Sequence, residues 1–181
     1  MARLDIPSRS NTPADSQPLL DGVEQQLGVV PNLYWLIGAS PAALRGFLGL
    51  SGALAKALDV KTRERIAIAV AQVNGCDYCL SAHAYLAQNL AKLDAAEVAR
   101  NRAGHSNDAK ADAAVAFAAQ VARDRGKVDD AALAAVRAAG YRDAQIVEIV
   151  ALVAENVFTN FLNLVAQTEI DFPVVRAADP A

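Results

Sequence analysis

The apolar residues of this chain recur with helical spacing, and short polar or glycine-containing breaks separate the apolar segments. No stretch shows the alternation of apolar and polar residues that indicates a β-strand. Helices are therefore expected at residues 19–28, 33–40, 41–57, 62–73, 76–89, 94–102, 108–125, 129–139 and 144–168. The predicted fold class is all-α, with one compact domain over residues 19–181 after an extended, polar arm at residues 1–18.

Several helix ends carry local signals. Ser40 followed by proline is a typical N-cap and first helical position. Thr62 and Asp143 are predicted to cap the helices that follow them. The helix at 41–57 carries glycine at positions 46, 49 and 52, a spacing that predicts close approach of another helix.

The composition limits the function classes. The chain has 181 residues, 54% of them hydrophobic, and a net charge of -3. No basic block is present, which disfavours nucleic acid as a partner. The apolar runs look too short to span a membrane, and the N-terminal segment lacks the apolar core of a secretory signal. We therefore expect a cytoplasmic protein, in which two cysteines are typically catalytic or metal-binding rather than a structural disulfide.

A weak internal repeat is visible at an offset of 84 residues. The segment ERIAIAV, which begins at Glu64, matches EIVALVA, which begins at Glu148. In this register, the cysteine and histidine positions of the first copy are occupied by amide residues in the second copy. We interpret this as a duplicated helix pair whose second copy has lost its chemistry, with chance similarity of alanine-rich helices as the alternative.

Both cysteines and one of the two histidines lie within the segment VNGCDYCLSAH, at residues 73–83. On a helix that starts after the Asn-Gly pair, Cys76, Cys79 and His83 occupy positions i, i+3 and i+7 and share one face. Cys76 falls in the first turn, where free N–H groups and the helix dipole favour a thiolate. His83 lies one turn beyond Cys79 and can accept its proton. The spacing predicts redox or nucleophilic chemistry at sulfur.

Glu64 is the expected third group of this site. It lies eleven residues before Gly75, and His83 lies eight residues after it. If the two helices fold back antiparallel, this mismatch is about 4.5 Å, which is within side-chain reach. We therefore hypothesise a relay in which Glu64 orients or charges His83, His83 deprotonates Cys79, and Cys79 pairs with Cys76.

The pattern Glu64-x11-Cys76-x2-Cys79-x3-His83 resembles the alkylhydroperoxidase D / carboxymuconolactone decarboxylase superfamily, and more narrowly its peroxidase-related members. The stretches GVVPNLYWLIGASPAALRGF, ERIAIAVAQVNGCDYCLSAHA and ENVFTNFLN followed by EIDFP also resemble that group. The resemblance implies a compact multi-helix fold, a homo-oligomer (a trimer or hexamer) and peroxide reduction. It also implies that Cys79 attacks the peroxide and that Cys76 resolves it to a disulfide. A lipoyl-type or thioredoxin-like dithiol would then reduce that disulfide.

One departure from the family pattern concerns Tyr78, because some relatives have histidine just before the second cysteine. The decarboxylase branch lacks the cysteine pair, so decarboxylation is disfavoured here. No glycine-rich phosphate loop is present, and no organic cofactor is expected.

Two other readings of the same residues stay open at this point. Glu64, Cys76, Cys79 and His83 could bind one zinc ion, although ligands on one continuous helix surround a metal poorly. Alternatively, the chain could be an oligomeric redox sensor that forms the disulfide without peroxidase turnover.

Overall fold

The computed structural model describes residues 3–178. Within that range every regular element is an α-helix, which confirms the predicted fold class. The helices are α1 (Gln17–Leu27), α2 (Asn32–Gly38), α3 (Pro41–Leu54), α4 (Val60–Asn74), α5 (Asp77–Asn89), α6 (Ala95–Arg102), α7 (Ala109–Arg123), α8 (Asp130–Ala138) and α9 (Asp143–Ala166).

The helix ends follow local side-chain chemistry. At five helix starts, a side-chain oxygen accepts a backbone N–H three residues further on, which satisfies one of the unpaired donors there. These N-caps are Ser40, Asp59, Asp94, Asp108 and Asp129. Gly28 and Gly75 end α1 and α4 in the left-handed conformation, with φ values of 77° and 68°, as glycine permits.

Two of the predicted caps are wrong. Asp59 caps α4, and its carboxylate accepts the N–H of Thr62 at 3.0 Å, so Thr62 lies inside the first turn. The residue before α9 is Arg142, and Asp143 is the first helical residue. In both places an acidic side chain lies near the helix start, but the position differs from the prediction.

Turns hold the segment before α1. The backbone N–H and hydroxyl of Thr12 both donate to the carbonyl of Ser8, at 3.0 and 2.7 Å. Arg9 forms exposed ion pairs with Asp21 and Glu24 of α1. The division into an arm and one domain stays a prediction, and residues 1, 2 and 179–181 at its limits lie outside the described residues.

Helix α4 lies at the centre of the fold and contacts α5, α6, α7 and α9. Ile66 and Val70 belong to the main apolar cluster, which α7 and α9 complete. Ile68 belongs to a second cluster that includes residues of α5. All three side chains are fully buried, and each contributes about 1.5–3 kcal/mol of transfer free energy. Glu64 is therefore carried by the most firmly packed helix.

The glycine stripe of α3 does not make the predicted close helix contact. A Cβ placed on Gly46, Gly49 or Gly52 would meet no atom within 4 Å among the described residues. All three glycines are exposed. The expectation of a close approach within one chain is therefore wrong.

The proposed second helix pair is also absent in the register of 84 residues. The segment that aligns with α4, its terminal turn and the start of α5 is one uninterrupted helix, α9. Gly75 ends α4 in the left-handed conformation, whereas Thr159 at the matching position lies inside α9. The sequence similarity therefore does not correspond to a repeated turn.

Helix α9 also corrects the expectation about apolar length. Within residues 3–178 it is the one helix long and apolar enough to cross a membrane, by length and composition. In this fold, 44% of its most apolar window is buried. Ile149, Leu152 and Val153 of α9 pack in the main core.

Candidate active site

The turn between α4 and α5 places the two cysteines. Gly75 ends α4 with a positive φ, which only glycine adopts without strain, and Cys76 then becomes the N-cap of α5. The sulfur of Cys76 accepts the backbone N–H of Cys79 at 3.2 Å. Both thiols are free and buried. The predicted helix start after the Asn-Gly pair is confirmed, and the two sulfurs lie on its first turn.

Glu64 and His83 are in direct contact. The Nδ1 atom of His83 lies 2.9 Å from Oε2 of Glu64. The side chain of His83 is 25% exposed and that of Glu64 is 12% exposed, so water screens the pair only weakly. Burial alone would lower the pKa of His83, but the Glu64 carboxylate outweighs burial and raises it. The predicted antiparallel turn thus brings these two side chains together.

The two thiols differ in acidity. A hydrogen bond from the Cys76 thiol lowers the pKa of Cys79 to about 7, against the opposing effect of burial. The amide of Asn163 donates to the Cys79 sulfur at 3.2 Å, and the charge of His83 acts in the same direction. The shared hydrogen bond and burial raise the pKa of Cys76 instead. These effects make Cys79 the more acidic of the two thiols, whereas the helix position alone predicts a thiolate at Cys76.

The cavity next to Cys79 has a volume of about 420 Å³. Cys79, His83 and Glu64 line it, whereas Cys76 does not. Aromatic side chains form much of the remaining wall. They are Tyr34, Phe47, Tyr78, Tyr85 and Phe172. The cavity can hold a small organic molecule with its reactive group against the Cys79 sulfur.

Tyr78 lies at the wall of this cavity. Its hydroxyl accepts the N–H of Leu33 at 3.1 Å, and burial raises its pKa. Its ring packs edge-on against Phe172, with centroids 5.9 Å apart. Tyr78 therefore connects α5 to the N-terminal helices and to the C-terminal segment.

The sequence reasoning missed three contributors to the site. Glu155 of α9 lines the cavity, and burial raises its pKa, with the Glu64 carboxylate adding to the effect. Phe172 reaches the cavity from the segment after α9. Asn163, which the alignment at an offset of 84 residues places opposite Cys79, contacts the sulfur of that cysteine. No local pattern connects these residues to α5, because each lies 80 or more positions after Gly75 in the chain.

The zinc reading finds no geometric support. Among residues 3–178 no group of three or more histidine, cysteine, aspartate or glutamate side chains is arranged to hold a metal ion. Glu64 is engaged by His83, and Cys76 is turned towards the N–H of Cys79.

The fold and site together define a class: an all-α protein with a buried Cys-x-x-Cys pair at a helix start and a Glu–His pair beside it. The family model of the carboxymuconolactone decarboxylase family matches residues 41–120, which include Glu64, Cys76, Cys79 and His83. This match confirms the resemblance to the superfamily over these residues, which make up less than half of the chain. No curated protein matches this sequence.

Solved structures share the whole fold. An uncharacterized peroxidase-related protein from Ralstonia eutropha JMP134, described as an alkylhydroperoxidase AhpD core, has a TM-score of 0.83 at 23% identity, over 94% of this chain and 92% of its own. A peroxidase-related protein from Silicibacter sp. TM1040 has a TM-score of 0.78 at 24% identity, over 93% and 91%. The debrominase Bmp8 without ligand has a TM-score of 0.76 at 25% identity, over 91% and 90%. A cysteine-to-alanine variant of Bmp8 was solved with 2,3,4-tribromopyrrole. These likenesses establish the AhpD-like fold.

Proposed function

We propose that this protein is a thiol-dependent peroxidase that reduces hydrogen peroxide or alkyl hydroperoxides through Cys79 and Cys76. The observation that carries the proposal is the position of Cys79. Its sulfur lines the cavity, and its pKa is lowered to about 7, which favours the thiolate near neutral pH relative to an ordinary thiol. Cys76 is buried, does not line the cavity, and accepts the backbone N–H of Cys79 through its sulfur.

The proposed reaction has two steps within the protein. The Cys79 thiolate attacks one peroxide oxygen, so that an S–O bond forms, the O–O bond breaks, and the leaving alkoxide or hydroxide takes a proton. The Cys76 thiol then attacks the sulfenic sulfur, and water leaves as the disulfide forms. The peroxide gains two electrons, and the two thiols together lose them.

Glu64 and His83 act as the proton relay in this proposal. The raised pKa of His83 keeps the imidazole able to hold a proton near neutral pH and to donate it to the departing oxygen. Glu64 stabilises that protonated ring through the 2.9 Å contact. His83 also lines the cavity, where the leaving oxygen must lie.

An external dithiol completes the proposed cycle by reopening the disulfide. We propose a lipoyl-type or thioredoxin-like donor in the cytoplasm, and neither nucleic acid nor a membrane as a partner. We also propose a homo-oligomer, a trimer or hexamer. The supporting observation is the apolar, exposed face of α9, which includes Val150, Phe158, Phe161 and Val165.

Reductive dehalogenation of a halogenated aromatic ring is a second candidate. The aromatic wall and the volume of about 420 Å³ favour a ring-shaped ligand, and the debrominase relative has the same fold. The Cys79 thiolate would take the halogen as the carbon gains a proton. Cys76 would then displace the halide and form the disulfide. Halide release from a brominated aromatic compound, measured beside peroxide consumption, separates the two candidates.

The test is steady-state peroxide consumption by reduced, metal-free protein with excess dihydrolipoamide. We expect turnover in the wild type, none in Cys79→Ser, and a lower rate in Glu64→Gln. Asp112→Asn is the matched control, because Asp112 and His105 form a second carboxylate–histidine pair that is exposed and outside the cavity.

Three other results would replace the proposal. Rapid formation of one disulfide per chain without turnover with either dihydrolipoamide or a thioredoxin would indicate a redox sensor. Ordering of the protein by zinc with no peroxide reaction would mean that the thiols are metal ligands. Halide release without peroxide consumption would favour the dehalogenase.

A further inference from the structure

Helix α9 brings two buried amide side chains to the Cys79 sulfur. Asn163 donates to it from Nδ2 at 3.2 Å. Asn160 lies three positions earlier, on the same face of α9. Asn160 is 0% exposed and Asn163 is 3% exposed, so neither amide exchanges its hydrogen bonds with bulk water.

The orientation of Asn160 is fixed from its other end. Its Oδ1 accepts the Nδ2 group of Asn74 at 2.8 Å, and Asn74 is the last residue of α4. The Nδ2 donor of Asn160 is thereby turned away from Asn74, and it is buried without a partner. A buried donor without an acceptor costs about 1–3 kcal/mol, so its presence calls for an acceptor that another state of the site supplies.

A negatively charged Cys79 sulfur is such an acceptor. The Cys76 thiol contributes most to lowering the pKa of Cys79, and the amides of Asn163 and Asn160 add to it, whereas neither amide is among the main causes of the shift at Cys76. Neither amide lines the cavity, although Cys79 does. The amides therefore approach the sulfur from the protein side and leave its cavity side free for attack.

We propose that Asn160 and Asn163 form an amide pair that holds the Cys79 sulfur as a thiolate and thereby sets the redox potential of the Cys76–Cys79 couple. The inference rests on the dithiol chemistry of the proposed function. In the disulfide, the Cys79 sulfur is neutral and a poor acceptor, so both amide donors lose most of their hydrogen-bond energy. The reduced state gains stability relative to the disulfide, which makes the disulfide a stronger oxidant.

The electron balance makes the consequence concrete. Two electrons from the external dithiol convert the disulfide into one thiol at Cys76 and one thiolate at Cys79, with a single proton taken up near neutral pH. The amide pair favours that product, so reopening by a dithiol is pulled forward. The same contacts select Cys79 rather than Cys76 as the nucleophile.

The test uses Asn163→Leu and Asn160→Leu, which keep the side-chain shape and remove the donors. We expect alkylation of Cys79 by iodoacetamide near neutral pH to slow about tenfold in Asn163→Leu, because its thiolate fraction falls towards that of an ordinary thiol. We expect the equilibrium constant for disulfide reduction by dihydrolipoamide to fall about tenfold in each variant, which is about 30 mV. The midpoint of the alkylation pH profile should move to higher pH in both variants.

Asn156→Leu is the matched control for the midpoint of the alkylation pH profile and for the dithiol equilibrium. Asn156 also lines the cavity, so absolute alkylation rates are not compared in this variant. Asn156 is a third buried amide on α9, but its Nδ2 donates to the carbonyl of Leu152 within the helix. The proposal is overturned if both Asn160 and Asn163 variants keep the wild-type profile and equilibrium constant, or if Asn156→Leu shifts them equally. If a leucine variant does not fold, Asn163→Asp gives the same test, because a carboxylate beside the sulfur should slow alkylation even further.

The outcome is independent of peroxidase turnover. Alkylation and the dithiol equilibrium need no peroxide. If the wild type does not react with peroxide but the variants show the predicted shifts, the proposed function is contradicted and the amide pair is supported. If the wild type turns over peroxide but the variants leave both readouts unchanged, the proposed function is supported and the amide pair is contradicted.

Discussion

Replacing Glu64 by glutamine tests the Glu–His pair most directly, because it removes one charge and keeps the side-chain size. The contact is 2.9 Å long, and the side chains of His83 and Glu64 are 25% and 12% exposed. A hydrogen bond between charged partners contributes about 1.5–3 kcal/mol, and partial exposure of His83 favours the lower end. We therefore expect Glu64→Gln to cost about 1.5 kcal/mol when His83 is protonated, which is about tenfold in an equilibrium constant.

The sign of the pH dependence follows from the raised pKa of His83. The stability from this pair is fully present below the unfolded-state value of histidine, about 6.5, and is lost as pH rises through the raised folded-state pKa. The stability difference between wild type and Glu64→Gln should thus be largest near pH 6 and small near pH 9. Urea unfolding at both pH values measures this difference.

An NMR titration gives the same answer at the level of the ring. The chain has two histidines, and His105 is exposed, so its signals provide an internal reference. The His83 signals should titrate at lower pH in Glu64→Gln than in the wild type. An unchanged His83 titration, or a stability loss that is equal at both pH values, would refute the reasoning about this pair.

Three further predictions concern other parts of the molecule. Glu97→Gln should destabilise the fold by about 3 kcal/mol in urea unfolding, because it leaves Arg65 buried without its 2.7 Å partner. Burial opposes the ionised form of Glu97, but hydrogen bonds led by the Ser106 hydroxyl lower its pKa to about 2. The stability from Glu97 should therefore be present above the ordinary glutamate pKa and be lost as pH falls towards 2, and a wild-type profile that stays flat there would contradict this. Phe161→Glu should shift sedimentation towards monomer, since Phe161 is 52% exposed on α9, whereas an unchanged mass would remove α9 from the interface. Cys76→Ser should retain one peroxide reaction per chain and leave a sulfenic acid that dimedone traps, and the absence of any adduct would count against Cys76 as the resolving thiol.

The sequence was sufficient where one turn determines the geometry. Glu64 and His83 flank the single turn at Gly75, so counting residues from that glycine predicts their contact. The same locality explains why the starts of α3 and α5 and the ends of α1 and α4 could be predicted. Caps and left-handed glycines depend on a few neighbouring residues and leave a signature in the sequence.

The sequence was insufficient where distant segments meet. Asn163 and Cys79 are 84 residues apart, and their contact depends on how α9 packs against α4 and α5. The alignment at that offset also pairs these two residues, but it predicted a repeated helix pair. In the structure this segment is the single continuous helix α9. Phe172 enters the cavity through a segment after α9 whose sequence carries no periodic signal.

The acidity of the two cysteines illustrates the same limit. Position in the helix favours a thiolate at Cys76, and this reasoning uses only the backbone. The hydrogen bond from the Cys76 thiol instead lowers the pKa of Cys79, and the Asn163 amide and the charge of His83 add to this effect. Asn163 comes from α9, so its contribution to that pKa could not be predicted from the local sequence.

A single-turnover titration tests the central claim most directly. Fully reduced protein would receive one equivalent of an alkyl hydroperoxide, followed by thiol counting and mass spectrometry of the peptide that holds residues 76–79. The account predicts the loss of two thiols per peroxide and one Cys76–Cys79 disulfide in the wild type, with the peroxide left intact by Cys79→Ser. Peroxide consumption by Cys79→Ser at the wild-type rate, or two free thiols after the wild type has met the peroxide, would contradict it.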